Sequence, residues 1–401
     1  MPPCGSRQAW DVIVAGAGPA GSALALRLCA RHRVLLLDRQ RPPRTVSAAP
    51  PLGESLPGAA TTLLRSLRHW PQFLADGHRQ RTATLSCWDH ATPVWFDALR
   101  DPCGPGWHLH RDRFEASLRR AALESGAELL RVHGPLQPKP IPAGWQLLAP
   151  RLGLCLEAPV LIDATGRRSV LAHQLPIRRQ HEPPLLCLHT HLPGAGAPGD
   201  GTTRICADHD GWWYSVLLPS GPRLLALFLD PRAEQARRLR TSPALLDMAR
   251  RHPLLAEVLP KQVQGPVGAC HAAGSVLDGP LPTGFFAIGD ASISFDPIAS
   301  QGLFHALATA ESAAVAIEDH LAGRSEAQAA LGTELRAVAH RYRHHRQATY
   351  AGPARRFPDS PFWHSRSGSR KIDNLWFNKD ICLTRHAGRV TDRLSAQCDG
   401  S

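Results

Sequence analysis

The run DVIVAGAGPAGSALALRLCARHRVLLLD, residues 11–38, decides how the rest of the chain is read. Asp11-Val-Ile-Val-Ala15 is a short apolar run that ends at a glycine, as a buried parallel strand does. Gly16-x-Gly18-x-x-Gly21 follows, and apolar residues at helical spacing, Leu24 and Leu28 among them, predict a helix from Pro19 to Arg31. A second apolar run, Arg33-Val-Leu-Leu-Leu37, stops at Asp38. Each part suits a dinucleotide. Gly16 allows a tight turn, Gly18 lets the backbone approach a pyrophosphate, and Gly21 lets the helix pack closely on the strand. Asp38 stands about 20 residues on, where a carboxylate takes ribose hydroxyls.

The glycine pattern alone is weak, because Gly194-Ala-Gly196-Ala-Pro-Gly199 also fits it. That second copy lies between two strand-like runs, with Pro198 inside and Asp200-Gly201 after, and reads as a hairpin loop. Only the first copy has strand, turn, helix, strand and acid in order.

Farther along, Gly53-Glu-Ser-Leu-Pro57 leads out of a Pro-, Ala- and Ser-rich loop toward a helix over 59–67. Residues 84–96 alternate as strands do, and Arg111 opens a helix running to about Ser125 with Gly126 as its cap. Strands are expected near 128–133, 145–149 and 152–157, then at Pro159-Val-Leu-Ile162 before Asp163-Ala-Thr-Gly166. From about 173 to 274 Pro-rich stretches separate short apolar runs at 185–191, 212–219 and 223–229, ahead of a polar helix over 233–251. This texture predicts an inserted antiparallel sheet. Gly284-Phe-Phe-Ala-Ile288 is another buried strand, ending at Gly289-Asp290. Asp296-Pro-Ile-Ala-Ser-Gln-Gly302 then opens a long helix whose apolar face carries Leu303, Ala306, Leu307, Ala310, Ala314, Ile317 and Leu321.

A chain of 401 residues can bury a large core, and 20% charged residues are ordinary for a soluble protein. No apolar run is long enough to span a membrane, and the N-terminus lacks the layout of a secretion signal. The ten cysteines show no CxxC and read as reduced thiols, so a cytoplasmic protein without a metal site is expected. The net charge of +12 is nearly all arginine, since only Lys139, Lys261, Lys371 and Lys379 are lysines. With no nucleic-acid module in view, a solvated basic surface accounts for it.

Three separated segments thus share one geometry, an apolar strand ending in a Gly/Asp turn: Gly16–Gly21, Asp163–Gly166 and Gly289–Asp290. In doubly wound sheets ligands bind at such strand ends. In this order the segments resemble the FAD-binding fold of flavoprotein monooxygenases of the hydroxybenzoate-hydroxylase type. The resemblance covers residues 11–325. It implies an α/β (α+β overall) chain with a discontinuous Rossmann-like FAD domain over 8–85, 105–172 and 275–325. A substrate-binding β-sheet domain would take 86–104 and 173–274, and a helical C-terminal region with a basic tail 326–401. Cofactor contacts carried over by the resemblance are Gly16, Gly18, Pro19, Ala20, Gly21, Asp38, Arg39, Ser55, Arg111, Asp163, Gly166, Gly289, Asp290, Pro297, Gln301 and Gly302.

Within that superfamily, Gly53-Glu-Ser-Leu-Pro57, Gly106-Trp-His-Leu-His-Arg111, Asp163-Ala-Thr-Gly-Arg167, Gly211-Trp-Trp-Tyr-Ser215 and Asp296-Pro-Ile-Ala-Ser-Gln-Gly302 resemble the tryptophan-halogenase-related branch. With Ser360-Pro-Phe-Trp363 they are most similar to flavoproteins that mature tryptophan-derived quinone cofactors, which hydroxylate a tryptophan of a partner protein or peptide. Halogenases carry the halogenating species on a lysine soon after the GExxxP segment. Here residues 56–134 hold no lysine, and the halogenase WxWxIP pattern is absent. The resemblance therefore implies oxygenation, in which reduced FAD and O₂ give a flavin hydroperoxide that attacks an electron-rich ring. Electrons would come from NAD(P)H or a separate flavin reductase. Glu54, His110 and Trp213 are the catalytic candidates, with His108 and Trp212 beside them. Other readings are a halogenase, an isoprenoid or small-molecule reductase of the same fold, and a flavin-binding maturation chaperone without its own chemistry.

Overall fold

The computed structural model describes residues 10–39, 55–194, 200–261, 265–324 and 326–368. Its centre is the strand Val12–Ala15, buried at all four positions. It pairs in parallel with Val34–Arg39 on one side and Val160–Asp163 on the other. Glu128–Val132 and Phe285–Ala287 complete a five-stranded parallel sheet at its two edges. The chain leaves Val12–Ala15 in one direction and returns on its other flank, so the end of this strand is the topological switch point where such sheets bind ligands.

Period-2 alternation divides the sheet between two cores. Val12, Val14, Val34 and Leu36 face the helices Pro19–Leu28 and Gly302–Leu321, where Leu24, Leu28, Leu307 and Ala310 pack. Ile13, Ala15, Leu35 and Leu37 face a three-stranded antiparallel meander, Gln137–Ile141, Gly144–Ala149 and Leu154–Ala158, through Trp145 and Leu147. The first of these strands escapes sequence reading because it contains Pro138 and Pro140. It is an edge strand, where a missing N–H can be tolerated.

A seven-stranded sheet stands against this unit in the order Gly268–His271, Leu186–Leu192, Arg223–Leu229, Gly211–Leu217, Thr202–Asp208, Ala83–Cys87, Val94–Asp97. It corrects one expectation. Leu186–Leu192 and Thr202–Asp208, which flank the second glycine-rich stretch, do not pair with each other, so no hairpin joins them. Residues 195–199 themselves lie outside the described residues. The helix expected over 233–251 is broken into Gln235–Arg238 and Ser242–Ala249, with Pro253–Ala256 following. The later two each begin with a proline in the first turn, where it is tolerated while ending whatever precedes it. The helices Glu326–Arg356 and Pro361–Ser367 close the described chain.

Candidate cofactor and substrate site

The glycine turn is shaped by backbone contact. Gly16 has φ +114°, and a Cβ there would meet the Ala164 carbonyl oxygen at 2.3 Å. A Cβ on Gly21 would meet the Gly16 oxygen at 1.9 Å. Gly18 differs: its φ is −78°, and a Cβ there would meet no atom within 4 Å. The first two glycines are required by the chain's own packing, whereas Gly18 fronts open space at the start of the helix Pro19–Leu28. No side chain caps that helix, so its leading N–H groups remain for an anion.

At the end of the next strand, Asp38 accepts from Arg119 at 3.2 Å and Arg131 at 2.5 Å, both on Oδ2. Among the described residues no donor is on Oδ1, which stays available to a ribose diol. Open space at Gly18 and an available Oδ1 on Asp38 fit the adenosine diphosphate half of FAD. Arg39 is exposed one residue farther on.

The other two turns are tied to this one. The Ile288 N–H donates to the Asp163 carbonyl at 3.0 Å, and a Cβ on Gly289 would meet Ala20 Cβ at 2.9 Å. Asp163 itself is a correction to the expected set of ligand contacts. It is fully buried, and its carboxylate accepts from Thr165 N and Oγ1, Leu171 N and Ala172 N at 2.6–3.0 Å. Both oxygens are used in holding the turn through Gly166 (φ +72°), so Asp163 shapes the site without facing it. Asp290 does face out: its side chain is 31% exposed, and Arg167 Nε lies 3.5 Å away. Arg167 also donates to the carbonyls of Ala272, Ala273 and Phe295, and Arg179 to those of Asp290 and Ala291. These arginines staple the turns together. Arg179 gave no sequence signal, sitting in a polar stretch with no motif.

Asp296-Pro-Ile-Ala-Ser-Gln-Gly302 forms a short turn, Pro297–Ala299, with Ser300 at φ +51° before the helix begins at Gly302. Pro297, Gln301 and Gly302 are half-buried, and Gly302 abuts Asp290, its would-be Cβ 3.9 Å from Oδ1. The Gln301 Oε1 is buried and has no hydrogen-bond partner among the described residues. Behind the turn is a network that sequence reading missed. Asp296 is 2% exposed; its Oδ2 accepts from Tyr350 at 2.7 Å, and its N–H donates to the Tyr342 hydroxyl at 2.8 Å. Tyr342 in turn donates to Glu182 at 2.9 Å, and Arg346 lies 3.2 Å from the same carboxylate. Burial pushes the Asp296 and Glu182 carboxyls upward, against the pull of their hydrogen bonds and of Arg346. Tyr342, Arg346 and Tyr350 are four residues apart on one helix face, a spacing that could have shown them as a unit.

On the substrate side, Glu54 lies outside the described residues. Ser55–Leu56 pairs with Trp107–His108, which brings these two residues beside the GWHLHR segment. His108 is 1% exposed and bonded to the Gly201 carbonyl at 3.1 Å, with burial pushing its pKa down to about 4. His110 stands at the N-cap position of the helix Arg111–Glu124 without a side-chain capping bond and is half-buried, its backbone N–H donating to His78 Nδ1 at 3.1 Å. Arg111 pairs with Glu115 at 2.5 Å.

The two tryptophans take opposite faces of the seven-stranded sheet, as alternation predicts. Trp212 stacks on Phe228 at 3.9 Å, in the cluster that reaches Ile298 and Trp363. Its Nε1 has no acceptor among the described residues. Trp213 corrects the catalytic assignment. It is fully buried with Leu245 and Leu255 on the other face, its N–H on Asp208 at 3.2 Å, away from the turn at Ile298. The expectation of no metal site meets one cluster that could hold an ion, Cys187 and Cys270 standing beside His189.

No protein-family model matches the chain. It is 25% identical over 313 residues to LodB of Marinomonas mediterranea, named as an FAD-dependent oxidoreductase, covering 76% of this chain and 83% of the relative. It is equally 25% identical over 351 residues to a tryptophan 2-halogenase of Chondromyces crocatus, covering 81% of this chain and 63% of that protein. Among solved structures, the flavin-dependent halogenase CmlS superposes with a TM-score of 0.76 at 19% identity, over 98% of this chain and 78% of its own. The peptidyl tryptophan dihydroxylase QhpG, essential for tryptophylquinone cofactor biogenesis, gives 0.70 at 19%, over 92% and 81%. The fold is that of the FAD-dependent halogenase and hydroxylase superfamily, and the enzyme class these relatives share is FAD-dependent oxidoreductase. No helix among the described residues is long and apolar enough to cross a membrane.

Proposed function

We propose that this chain is an FAD-dependent monooxygenase that hydroxylates an aromatic ring, a tryptophan side chain of a partner protein or peptide. Gly16, Gly18, Gly21 and Asp38 would hold the adenosine diphosphate half. Asp290 and the turn over 297–302 would hold the remainder. Bound FAD, once reduced, supplies the activation of O₂; the protein orients the ring and excludes water. NAD(P)H or a separate reductase would deliver the electrons.

One observation favours this reading over halogenation: among the described residues no lysine lies in the segment where the resemblance puts a halogenase's lysine. Residues 56–134 hold no lysine. Lys139 is on the edge strand of the meander, and Lys261 follows the helix Pro253–Ala256 on the Trp213 side of the seven-stranded sheet. The likeness to QhpG supports a tryptophan-bearing client, while that to CmlS and the tryptophan 2-halogenase keeps halogenation as the second reading.

The test incubates purified protein with FAD, a reducing system, O₂ and chloride, offering a tryptophan peptide and free tryptophan in parallel. One or two added oxygens on the peptide alone are expected, read by product mass. A chlorine on either substrate would overturn the argument from lysine.

A further inference from the structure

Leu186–Leu192 pairs antiparallel with Gly268–His271, the edge strand of the seven-stranded sheet, with Cys187 opposite Cys270 and His189 opposite Gly268. Cys187 and His189 are two residues apart and so share a face, and Cys270 joins them from the neighbouring strand. Gly268, opposite His189, adds no side chain to that face. One donor atom from each of Cys187, His189 and Cys270 lies within 4.8 Å of the others. Cys187 is fully buried and His189 is 6% exposed.

We propose that Cys187, His189 and Cys270 bind a zinc ion. Two sulfurs and an imidazole are a soft donor set that suits zinc and disfavours magnesium or calcium. Zinc–sulfur bonds of about 2.3 Å in a tetrahedron set ligand atoms roughly 3.8 Å apart, so the cluster needs to contract by about 1 Å or less. Metal binding must displace the thiol protons, so affinity should rise with pH. His191, two residues beyond His189 with ring centroids 6.4 Å apart, is on the same face and is placed to reach a fourth position after a rotamer change.

The site would stitch down the edge strand. Gly268–His271 has one neighbour in the sheet, and the chain continues into Ala272 and Ala273, whose carbonyls hold Arg167. Zinc would thus fasten a segment that touches the flavin turns without being part of them.

The full chain is purified, stripped with chelator and titrated with cobalt(II) in place of zinc. A thiolate-to-cobalt charge-transfer band saturating at one equivalent is expected. It should be lost in Cys187→Ser and Cys270→Ser but kept in Cys155→Ser, whose thiol is on the meander. Elemental analysis of unstripped protein should give about one zinc per chain, lost in the same two variants. Retained FAD absorbance checks that each variant is folded, and the wild-type cobalt spectrum needs no variant. Absence of the band in wild-type protein, its persistence in the double variant, or a thiol count showing Cys187 and Cys270 oxidised to a disulfide would each overturn the proposal.

Discussion

Gly18 and Gly21 are both in the glycine turn, yet alanine at each should fail for a different reason. At Gly21 the new methyl would be 1.9 Å from the Gly16 oxygen and 3.2 Å from Val14 Cγ1. Ordinary contact is about 3.5 Å, so the helix must retreat from the strand by roughly 1.5 Å. Overpacking of this kind costs about 1–3 kcal/mol, and against rigid backbone the upper end applies. Alanine's better helix propensity returns only about 1 kcal/mol. Gly21→Ala should therefore destabilise the FAD-free protein by about 2 kcal/mol and weaken FAD as well. At Gly18 the backbone is extended, φ −78° and ψ −172°, and the methyl meets no protein atom within 4 Å. Gly18→Ala should leave the FAD-free protein within about 0.5 kcal/mol of wild type. It should still weaken FAD at least tenfold, about 1.4 kcal/mol, because the methyl occupies space the pyrophosphate needs. Urea unfolding of FAD-free protein and flavin-fluorescence titration read the two quantities separately. Wild-type FAD affinity in Gly18→Ala would refute the assignment of that space to the cofactor. Equal destabilisation of both FAD-free variants would refute the distinction between them.

Other outcomes are as definite. Tyr350→Phe removes the donor 2.7 Å from the buried Asp296 carboxylate, which should cost about 1–3 kcal/mol in thermal unfolding and loosen FAD through the turn over 297–302. Asp200→Asn removes the carboxylate charge 2.8 Å from Arg223, which is 0% exposed; about 3 kcal/mol should be lost in urea unfolding, partly recovered by adding Arg223→Met. His78 and His108, both pushed down to about 4 chiefly by burial, stay neutral in the folded chain while unfolded imidazoles take a proton near 6.5. Their contribution is complete above pH 6.5 and is lost as the pH falls toward 4, about 3 kcal/mol for each, so the urea midpoint should decline across that window and recover part of the loss in His108→Gln.

The dinucleotide turn was legible because its information is local: a glycine pattern with a strand before it and a helix after it constrains a single βαβ unit. The long helix after Gly302 was legible for the same reason, although it is buried more widely than the one apolar face expected, without a break from Leu303 to Glu311. What stayed hidden depends on pairing between distant segments. Gln137–Ile141 was lost to its prolines, which only an edge position tolerates. The roles of Asp163 and Trp213 were misassigned because sequence names a residue type at a strand position but not the face or donors it meets. Asp163 at a strand end looks like a ligand carboxylate until Leu171 and Ala172 are seen to fold back onto it. The thiols at Cys187 and Cys270, 83 residues apart in the chain (270 − 187), meet only through strand register.

The contacts of Tyr342 and Tyr350 with Asp296 also set an order of events during synthesis. The glycine turn that begins the nucleotide site leaves the ribosome first, but the turn over 297–302 gains its supports only when a helix some fifty residues later has been made and docked. A nascent chain ending before Tyr350 would carry the first half of the site without a fixed second half. If flavin binding needs that turn fixed, cofactor loading would wait until the helix Glu326–Arg356 has docked.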